Sequence, residues 1–302
     1  MARFGAVVTA MVTPFGPDGS IDLEGAAVVA RHLASSGTEA IVVAGSTGEG
    51  SVLTDQERLD LFAAVVAAVD IPIIASTGTN DTAHSVMLTQ AARSRGVHGI
   101  LAVTPYYNRP SPAGISAHFR AVAAATDLPV LLYDIPVRSG RRIGADLILE
   151  LARDCPTIVG VKDATGDVAG AATGVADAPE GFEVYCGDDS LTLPFAAVGA
   201  VGVISVAAHW AGRHFAEMLR CHAAGEVGRA ATVNRHLIGS YRFQSTDEFP
   251  NPVPAKAACR ALGLPVGQCR LPNTPGPESL EEQARGVIDA LARFDLTPQS
   301  VA

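Results

Sequence analysis

The amino-acid sequence predicts a (β/α)8 barrel of the TIM type, an α/β fold, with a C-terminal helical extension. Eight short apolar runs recur along the chain at intervals of about 20–35 residues, which is the length of one βα unit. Each run is apolar along its whole length, as expected of parallel strands that are buried on both faces. The segments between the runs have helical spacing, and a chain of 302 residues is long enough for one barrel.

The strands are predicted from the apolar runs and the helices from their end signals. Thr54 and Glu57 form a capping-box pattern that opens a helix over residues 58–69. Gly37 and Gly96 are predicted to end helices in the left-handed conformation. The predicted strands are residues 6–11, 40–44, 71–76, 99–103, 129–133, 158–162, 183–186 and 201–205.

The chain beyond the eighth predicted strand is too long for one helix and too apolar for a tail. Helices are predicted at residues 225–244, 254–262 and 279–294, with proline-containing stretches between them. We therefore expect a barrel with the active site over residues 1–225. Residues 226–302 are expected to form a helical appendage that packs on the barrel and does not fold independently.

Composition and charge exclude several classes of partner. The net charge of −9 argues against a nucleic-acid or anionic-membrane surface, since both need clustered Lys and Arg. The first residues lack the apolar run of a signal peptide, and no apolar stretch is long enough for a membrane span. The five cysteines form no CxxC pair and no zinc spacing. We expect a cytoplasmic protein with reduced thiols.

Lys162 is the sharpest chemical feature of the sequence. It ends an apolar predicted strand, and the chain has only one other lysine, Lys256, beside twenty arginines. Arginine cannot serve as an amine nucleophile because it stays protonated. Burial of a lysine amine favours the neutral form, which can attack a carbonyl. The alternative is a lysine that extends from a strand end to water.

Other polar residues fall at the same ends of the predicted strands, where barrels of this kind have their active sites. Tyr133 ends the strand before Lys162, and its phenol could relay protons with Tyr107 and the Ser46-Thr47 pair. A strand-end tyrosine can also be an amphipathic residue at the edge of the core. The GSTGEG segment at 45–50 offers backbone N–H groups and hydroxyls that suit a carboxylate, without a phosphate-binding motif.

Arg138 follows Tyr133 by five residues, and we place it in a loop over the same mouth. A guanidinium group there could bind a second carboxylate through two hydrogen bonds, although most loop arginines are simply exposed to solvent. His209 and His214 are five residues apart, which is poor spacing for a shared metal. We therefore predict neither a metal nor a cofactor.

These motifs together resemble the dihydrodipicolinate synthase family, within the N-acetylneuraminate lyase superfamily of class I aldolases. The resemblance covers nearly the whole chain, and the order and spacing of the motifs are specific for the superfamily. The matching segments are VTPF at 12–15, GSTGE at 45–49, VTPYYN at 103–108, YDIPVRSG at 133–140, GVKDATG at 160–166, GDD at 187–189, NPVPAK at 251–256 and RLP at 270–272.

The resemblance implies a reaction and a role for each matching residue. Pyruvate would form a Schiff base with Lys162 and condense with L-aspartate 4-semialdehyde, on the route to lysine and diaminopimelate, without a cofactor. The assembly would be a homotetramer, a dimer of dimers. Proton relay is implied for Tyr133, Ser46 and Tyr107 (from a neighbouring subunit), pyruvate binding for Thr47, Gly187 and Ile204, and binding of the second substrate's carboxylate for Arg138.

The sequence departs from the family pattern in two places. Serine stands at position 46 where the family usually has threonine, which keeps the hydroxyl but loses the methyl that restricts its rotamer. The effector pocket of lysine-inhibited members would here contain Asn80, His84, Tyr106, Asp55 and Arg58. His84 replaces an acidic residue, and Asp55 and Arg58 replace histidines, so we expect weak or no inhibition by free L-lysine.

Three functions remain open at this point. The first is the synthase reaction, which Arg138 and the Tyr106-Tyr107 pair favour. The second is a related pyruvate-dependent class I aldolase that acts on sialic acid or a 2-keto-3-deoxy sugar acid with the same lysine. The third is a barrel that only binds a ligand, but such a protein would not need a lysine, a tyrosine and a hydroxyl relay together.

Overall fold

Eight parallel strands form a closed barrel in the computed structural model, which describes residues 2–296. Each strand pairs with the next along the chain, and β1 closes the barrel against β8. The predicted fold is therefore confirmed. The strands are β1 (Val7–Ala10), β2 (Ala40–Val43), β3 (Ile73–Ser76), β4 (Gly99–Val103), β5 (Val130–Asp134), β6 (Ile158–Asp163), β7 (Glu183–Cys186) and β8 (Gly202–Ser205).

The strands coincide with the apolar runs because both faces of each strand are covered. One face packs inside the barrel and the other packs under the surrounding helices, so most strand positions are buried. The predicted bounds differ from the observed ones at the strand ends. Four strands start later than predicted, and in two of them, β3 and β5, the reason is that Pro72 and Pro129, which lack an N–H group, stand just before the strand.

The helices cover the outside of the barrel, and their ends match the predicted signals. The Thr54 hydroxyl accepts from the Glu57 N–H at 3.2 Å, and the Thr54 N–H donates to the Glu57 carboxylate at 2.8 Å. Gly37 and Gly96 have φ angles of 93° and 77°, which glycine adopts without strain. The helices are α1 (Leu23–Ser35), α2 (Asp55–Ala68), α3 (Thr82–Arg93), α4 (Pro112–Ala124), α5 (Pro136–Ser139), α6 (Ala145–Asp154), α7 (Val168–Asp177), α8 (Thr192–Ala197), α9 (Ala208–Ala223), α10 (Val227–Phe243), α11 (Val253–Ala261) and α12 (Glu278–Ala292).

The last three helices form the C-terminal extension and pack on the barrel through α9. Helix α10 lies against α9, and α11 packs against α12 around a small apolar cluster that contains Phe243, Val253 and Leu280. The Trp210 indole on α9 packs on this cluster and donates to the Ser240 hydroxyl at 3.0 Å. Residues 297–302 of the predicted extension lie outside the described residues. Within residues 2–296, no helix is long and apolar enough to cross a membrane.

A buried ion pair joins this extension to the loop after β2. The Lys256 ammonium on α11 lies 2.7 Å from the Glu49 carboxylate, and each side chain is 1% exposed. The ammonium also donates to the Gln268 carbonyl at 2.8 Å and lies 4.1 Å from the centroid of the Phe15 ring. The second carboxylate oxygen of Glu49 accepts from the Arg270 N–H at 2.9 Å. Both charges are thus held by several contacts in the protein interior.

Replacing Lys256 with methionine is expected to destabilise the protein strongly. The Lys256→Met side chain has a similar length but leaves the Glu49 carboxylate buried without its counter-charge. Breaking such a pair typically costs about 3–5 kcal/mol. The measurement is the free energy of unfolding from urea denaturation.

Two variants serve as controls for this prediction. The double variant Glu49→Gln/Lys256→Met removes both charges and should recover part of the lost stability. Arg93→Ala breaks a surface pair with Asp127, whose side chains are 60% and 65% exposed, and should cost less than about 1 kcal/mol. Equal decreases in the free energy of unfolding in Lys256→Met and Arg93→Ala would show that the buried pair contributes no more to stability than a surface pair.

Candidate active site

The candidate site is a cavity of about 320 Å³ at the carboxyl ends of the barrel strands. Three of the residues predicted to act in catalysis or substrate binding line it, namely Ser46, Tyr133 and Arg138. Two residues of the predicted effector pocket, Tyr106 and Arg58, line it as well. The cavity therefore brings together residues from the ends of β2, β4 and β5, as the position rule for barrels predicts.

Lys162 lies beside Tyr133 in the barrel wall. The two residues are register partners in the parallel pair β5–β6, so their side chains lie on the same face of the sheet. The Lys162 Nζ atom is 4.4 Å from the centroid of the Tyr133 ring, and the lysine is only 6% exposed. Lys162 is not itself among the lining residues of the cavity, but it contacts a residue that is. A buried amine thus stands one side chain away from the cavity.

The loop after β2 presents Ser46 and Thr47 in different environments. Ser46 is exposed and lines the cavity, whereas Thr47 is buried. The Thr47 hydroxyl accepts from the side-chain amide of Asn251 at 2.9 Å. Glu49 has a φ of 55°, an unusual angle for a residue with a side chain, and its carboxylate is held by Lys256. The loop conformation is therefore fixed by contacts from the C-terminal extension.

Asn251 is a site residue to which the sequence analysis assigned no role. Its side chain binds Thr47, its carbonyl accepts from the Arg138 guanidinium at 3.3 Å, and it lines the cavity. The NPVPAK motif marked this segment, but no pattern in the sequence connects it to residues more than a hundred positions earlier. Arg138 itself lies on the one-turn helix α5 and not in the predicted loop, because Pro136 favours a helix start and Gly140, with a φ of 72°, ends it.

The other three predicted site residues lie outside the lining of this cavity. Tyr107 has a φ of 71°, and its side chain is 90% exposed, so it does not reach the cavity of its own chain. Ile204 is buried in β8. Gly187 follows β7 directly and donates its N–H to the Asp163 carbonyl at 2.7 Å. Both lie at carboxyl ends of strands, as predicted, but neither lines the cavity.

The residues of the predicted effector pocket separate into two groups. Arg58 and Tyr106 line the cavity, and Arg58 is 6% exposed. The Asp55 carboxylate and the His84 imidazole are in hydrogen-bond contact at 2.8 Å, and the Asn80 carbonyl accepts from the Asn108 side chain at 2.8 Å. The Asp55 carboxylate is therefore already occupied by the imidazole that stands where the family pattern has an acidic residue.

Two buried carboxyl groups brace the loops around the site. Burial raises the pKa of Asp134 and of Asp189 to about 6 in each case. Asp134 accepts from the Ile143 N–H at 3.1 Å, and Asp189 accepts from the Ala207 N–H at 2.9 Å. These contacts fasten the segments that follow β5 and β8, so we read both groups as structural.

A second depression, of about 690 Å³, lies between α1, α9 and the end of α12, away from the strand ends. Burial lowers the pKa of its His209 to about 4, and this ring accepts from the Val12 N–H and donates to the Val206 carbonyl. The His214 imidazole is bound to the Leu291 carbonyl. Both histidines thus make structural contacts with backbone groups. Over residues 2–296, no cluster of three or more His, Cys, Asp or Glu side chains could hold a metal ion.

Comparison with known proteins identifies close relatives over the whole chain. The sequence model of the Dihydrodipicolinate synthetase family matches residues 3–291. A 4-hydroxy-tetrahydrodipicolinate synthase of Symbiobacterium thermophilum is 46% identical over 292 residues, covering 95% of this chain and 98% of the relative. One of Moorella thermoacetica is 48% identical over 272 residues, covering 89% of this chain and 92% of the relative.

Solved structures agree with these sequence comparisons. A dihydrodipicolinate synthase of Bacillus anthracis has a TM-score of 0.91 at 41% identity and covers 96% of this chain and 99% of its own. One of Cyanidioschyzon merolae, solved with lysine bound, has a TM-score of 0.93 at 40% identity and covers 97% and 100%. A structure described as the first monomeric variant has a TM-score of 0.90 at 32% identity and covers 96% and 98%. The chain belongs to the Dihydrodipicolinate synthetase family.

Proposed function

We propose that the protein is a 4-hydroxy-tetrahydrodipicolinate synthase, a lyase that condenses pyruvate with L-aspartate 4-semialdehyde in lysine and diaminopimelate biosynthesis. The observation that carries the chemistry is the buried Lys162 amine, 4.4 Å from the ring of Tyr133, which lines the cavity. Two relatives that are 46% and 48% identical to this chain are named 4-hydroxy-tetrahydrodipicolinate synthase. The residues named below supply all the chemistry without a cofactor.

Lys162 is the nucleophile of the proposed reaction. Its neutral amine attacks the C2 carbonyl of pyruvate, and loss of water gives the Schiff base. Removal of a C3 proton gives an enamine, whose C3 then attacks the aldehyde carbon of the second substrate, while the C=O π bond breaks and its oxygen takes a proton to become a hydroxyl. The amino group of the second substrate then adds to C2 and displaces the Lys162 amine, which closes the ring and releases the product. Each step moves a proton, and the phenol of Tyr133, whose ring centroid is 4.4 Å from Lys162 Nζ, would relay it with the exposed Ser46 hydroxyl as its partner.

The two substrate carboxylates are assigned to different donors. Thr47 and the adjacent backbone would bind the carboxylate of pyruvate, and the carbonyls of Gly187 and Ile204 would line its pocket. Arg138, at the edge of the same cavity, would bind the carboxylate of the semialdehyde. Asn251 contacts both Thr47 and Arg138 and would hold the two donors at a fixed spacing. The proposed appendage, residues 226–302, thus contributes a residue to the site of the proposed barrel unit, residues 1–225.

We also propose a cytoplasmic location and a homotetramer built as a dimer of dimers. The five cysteines are all unpaired, which fits a reducing compartment. Tyr107 supports the assembly, because a non-glycine residue with positive φ and a ring that is 90% exposed has no structural reason within its own chain. In the assembly this phenol would reach the site of a neighbouring subunit.

Incubation with pyruvate and borohydride is expected to add one pyruvate-derived group per chain, on the peptide that contains Lys162. The reagent reduces the Schiff base to a stable secondary amine, so peptide mass spectrometry locates the attachment. Lys162→Ala should abolish the labelling, and so should Lys162→Arg, because a guanidinium is not a usable amine.

Lys256 provides the internal control for this experiment, because it is the other lysine of the chain and is held by Glu49. Labelling at Lys256, or labelling that persists in Lys162→Ala, would overturn the Schiff-base assignment. An enzyme that is labelled at Lys162 but acts on a sugar acid and not on the semialdehyde would keep the mechanism and change the substrate.

Replacing Tyr133 with phenylalanine is expected to lower kcat by about 10²–10³ while leaving the thermal midpoint nearly unchanged. The substitution removes the phenol but keeps the ring that contacts Lys162. Steady-state kinetics with both substrates measure the effect. Tyr241→Phe is the matched control, since its hydroxyl binds Asn234 away from the cavity, and its kcat should not change. Equal kcat values in the two variants would make the Tyr133 phenol structural.

Mixed assemblies of Lys162→Ala and Tyr107→Phe subunits are expected to be more active than either variant alone. If Tyr107 acts across an interface, an intact Lys162 in one subunit can use the intact Tyr107 of its neighbour. Co-expressed subunits with different tags allow the hybrids to be isolated and assayed, and sedimentation gives their size. Hybrids without recovered activity, or a fully active wild-type monomer, would contradict the assignment of Tyr107.

A further inference from the structure

The segment that carries Arg138 is tied back to the strand that precedes it. Asp134 is the last residue of β5, and its carboxylate oxygen Oδ2 accepts from the Ile143 N–H at 3.1 Å, nine residues later. Arg138 lies near the middle of the chain between these two residues. The carboxylate therefore fixes the distance between the two ends of this segment.

Hydrogen bonds inside the segment transmit this restraint to Arg138. The buried Ser139 hydroxyl lies 2.9 Å from the Ile135 carbonyl oxygen and 2.8 Å from the Arg141 carbonyl oxygen. It thus connects the chain before α5, the one-turn helix on which Arg138 lies, to the chain after it. A displacement at Ile143 is therefore passed on to the helix.

The Arg138 side chain has little else to fix its position. It is exposed, and its guanidinium donates to the Asn251 carbonyl at 3.3 Å, which is long for an N–H···O bond. The backbone of α5 consequently determines where the guanidinium lies relative to the cavity that it lines. The Asp134 carboxylate contributes to that backbone position through Ile143.

The Asp134 carboxyl group lies in a dry environment with charges of both signs nearby. It is 2% exposed, and its second oxygen, Oδ1, is shielded from solvent and has no hydrogen-bond partner among residues 2–296. It borders a cavity of about 40 Å³, whose other charged residues are Asp163 on β6 and Arg142. Helices α6 and α7 and residues 182 and 184 contribute apolar side chains and glycines to the wall. Beyond them, Asp167 pairs with Arg142 at 3.3 Å.

The charge state of Asp134 controls the strength of its contact with Ile143. The pKa of Asp134 is raised to about 6, mainly by burial; the Ile143 N–H and the Arg142 guanidinium favour the charged form, and the Asp163 carboxylate opposes it. A carboxylate accepts from an N–H more strongly than a neutral carboxyl group does. The contact is therefore strong above about pH 6 and weaker below it.

We propose that Asp134 is a positioning residue for the second substrate, which acts on Arg138 through residues 135–143. The proposal rests on the proposed function, in which Arg138 binds the carboxylate of the semialdehyde. Lys162 and Thr47, the groups assigned to pyruvate, lie outside this segment. The KM for the semialdehyde should thus depend on the state of Asp134, whereas the KM for pyruvate should not.

The first test is the pH dependence of steady-state kinetics in the wild-type protein and in Asp134→Asn. The asparagine amide can still accept from the Ile143 N–H, but it carries no charge and does not titrate. In the wild type, the KM for the semialdehyde is expected to rise by about three- to tenfold from pH 7.5 to pH 5. In Asp134→Asn it should stay near the higher value throughout. Asp189, whose pKa is also about 6, is present in both proteins, so the comparison isolates Asp134.

Two neighbouring substitutions should move the midpoint of this pH dependence in opposite directions. Asp163→Asn removes a negative charge that raises the pKa of Asp134, so the midpoint should shift to lower pH. Arg142→Gln removes a positive charge that lowers this pKa, so the midpoint should shift to higher pH. A purely structural role would not produce opposite shifts. Shifts of the same sign, or equal pH dependence of this KM in the wild type and Asp134→Asn, would overturn the proposal.

Hydrogen exchange of the wild-type protein tests the contact without any substrate or variant. Relative to its intrinsic exchange rate, the Ile143 amide should lose protection by about three- to tenfold between pH 7.5 and pH 5. The Gly170 amide is the matched control. It donates to Asp167 at 2.8 Å and holds the pKa of that carboxyl below its usual range, so its protection should not change.

The two measurements separate this proposal from the proposed function. Constant protection of the Ile143 amide in a protein that turns over the semialdehyde would refute the role of Asp134 alone. Loss of protection in a protein that does not turn over the semialdehyde would refute the proposed function, and with it the role of Asp134 toward that substrate. Loss of protection together with the expected change in KM supports both.

Discussion

The buried contact between Glu49 and Lys256 is the constraint on which the rest of the site depends. It joins the loop after β2 to helix α11, and neither side chain can reach water to replace its partner. A charge in the protein interior tolerates little displacement from its counter-charge, because the cost of separation is high at low dielectric. The position of the extension and the conformation of the loop are therefore set together. Thr47 and Asn251, which lie on the two sides of this junction, meet as a result.

The barrel could be predicted because parallel strands leave a strong signal in the sequence. Both faces of such a strand are buried, so the signal is a continuous apolar run that does not depend on knowing the partners. The capping box at Thr54 and the turn at Gly37 are equally local. Strand ends were predicted less accurately. The apolar run of β5 begins at Pro129, but the strand begins at Val130, because its first residue is set by backbone hydrogen bonding and not by hydrophobicity. Features with a local cause could thus be predicted from the sequence, whereas the exact residues at which strand pairing begins and ends could not.

The candidate site was predictable only as far as position in a strand determines position in space. Lys162 and Tyr133 could be placed together because both stand at the carboxyl ends of neighbouring strands. The contact of Asn251 with Thr47 spans 204 positions and comes from a segment outside the barrel, so no rule of strand order predicts it. The burial of Arg58 was not predicted for a similar reason, since it depends on how helix α2 packs against the loop at Gly50. The one-turn helix at Arg138 was missed because four residues carry too little periodicity.

The scarcity of lysine gives this molecule an unusual chemical surface. Both lysine amines are buried, one beside Tyr133 and one against Glu49, while cationic contacts on the outside are made by arginines. Acylating reagents, glycating sugars and amine-directed cross-linkers react with neutral primary amines, and the arginine side chain is a poor substrate for them. The described surface therefore offers these reagents no exposed lysine amine to attack. Amine-directed modification, which in most proteins occurs at surface lysines, would here be confined to the two buried lysines. The first of them to react would be the one that a small carbonyl compound can reach.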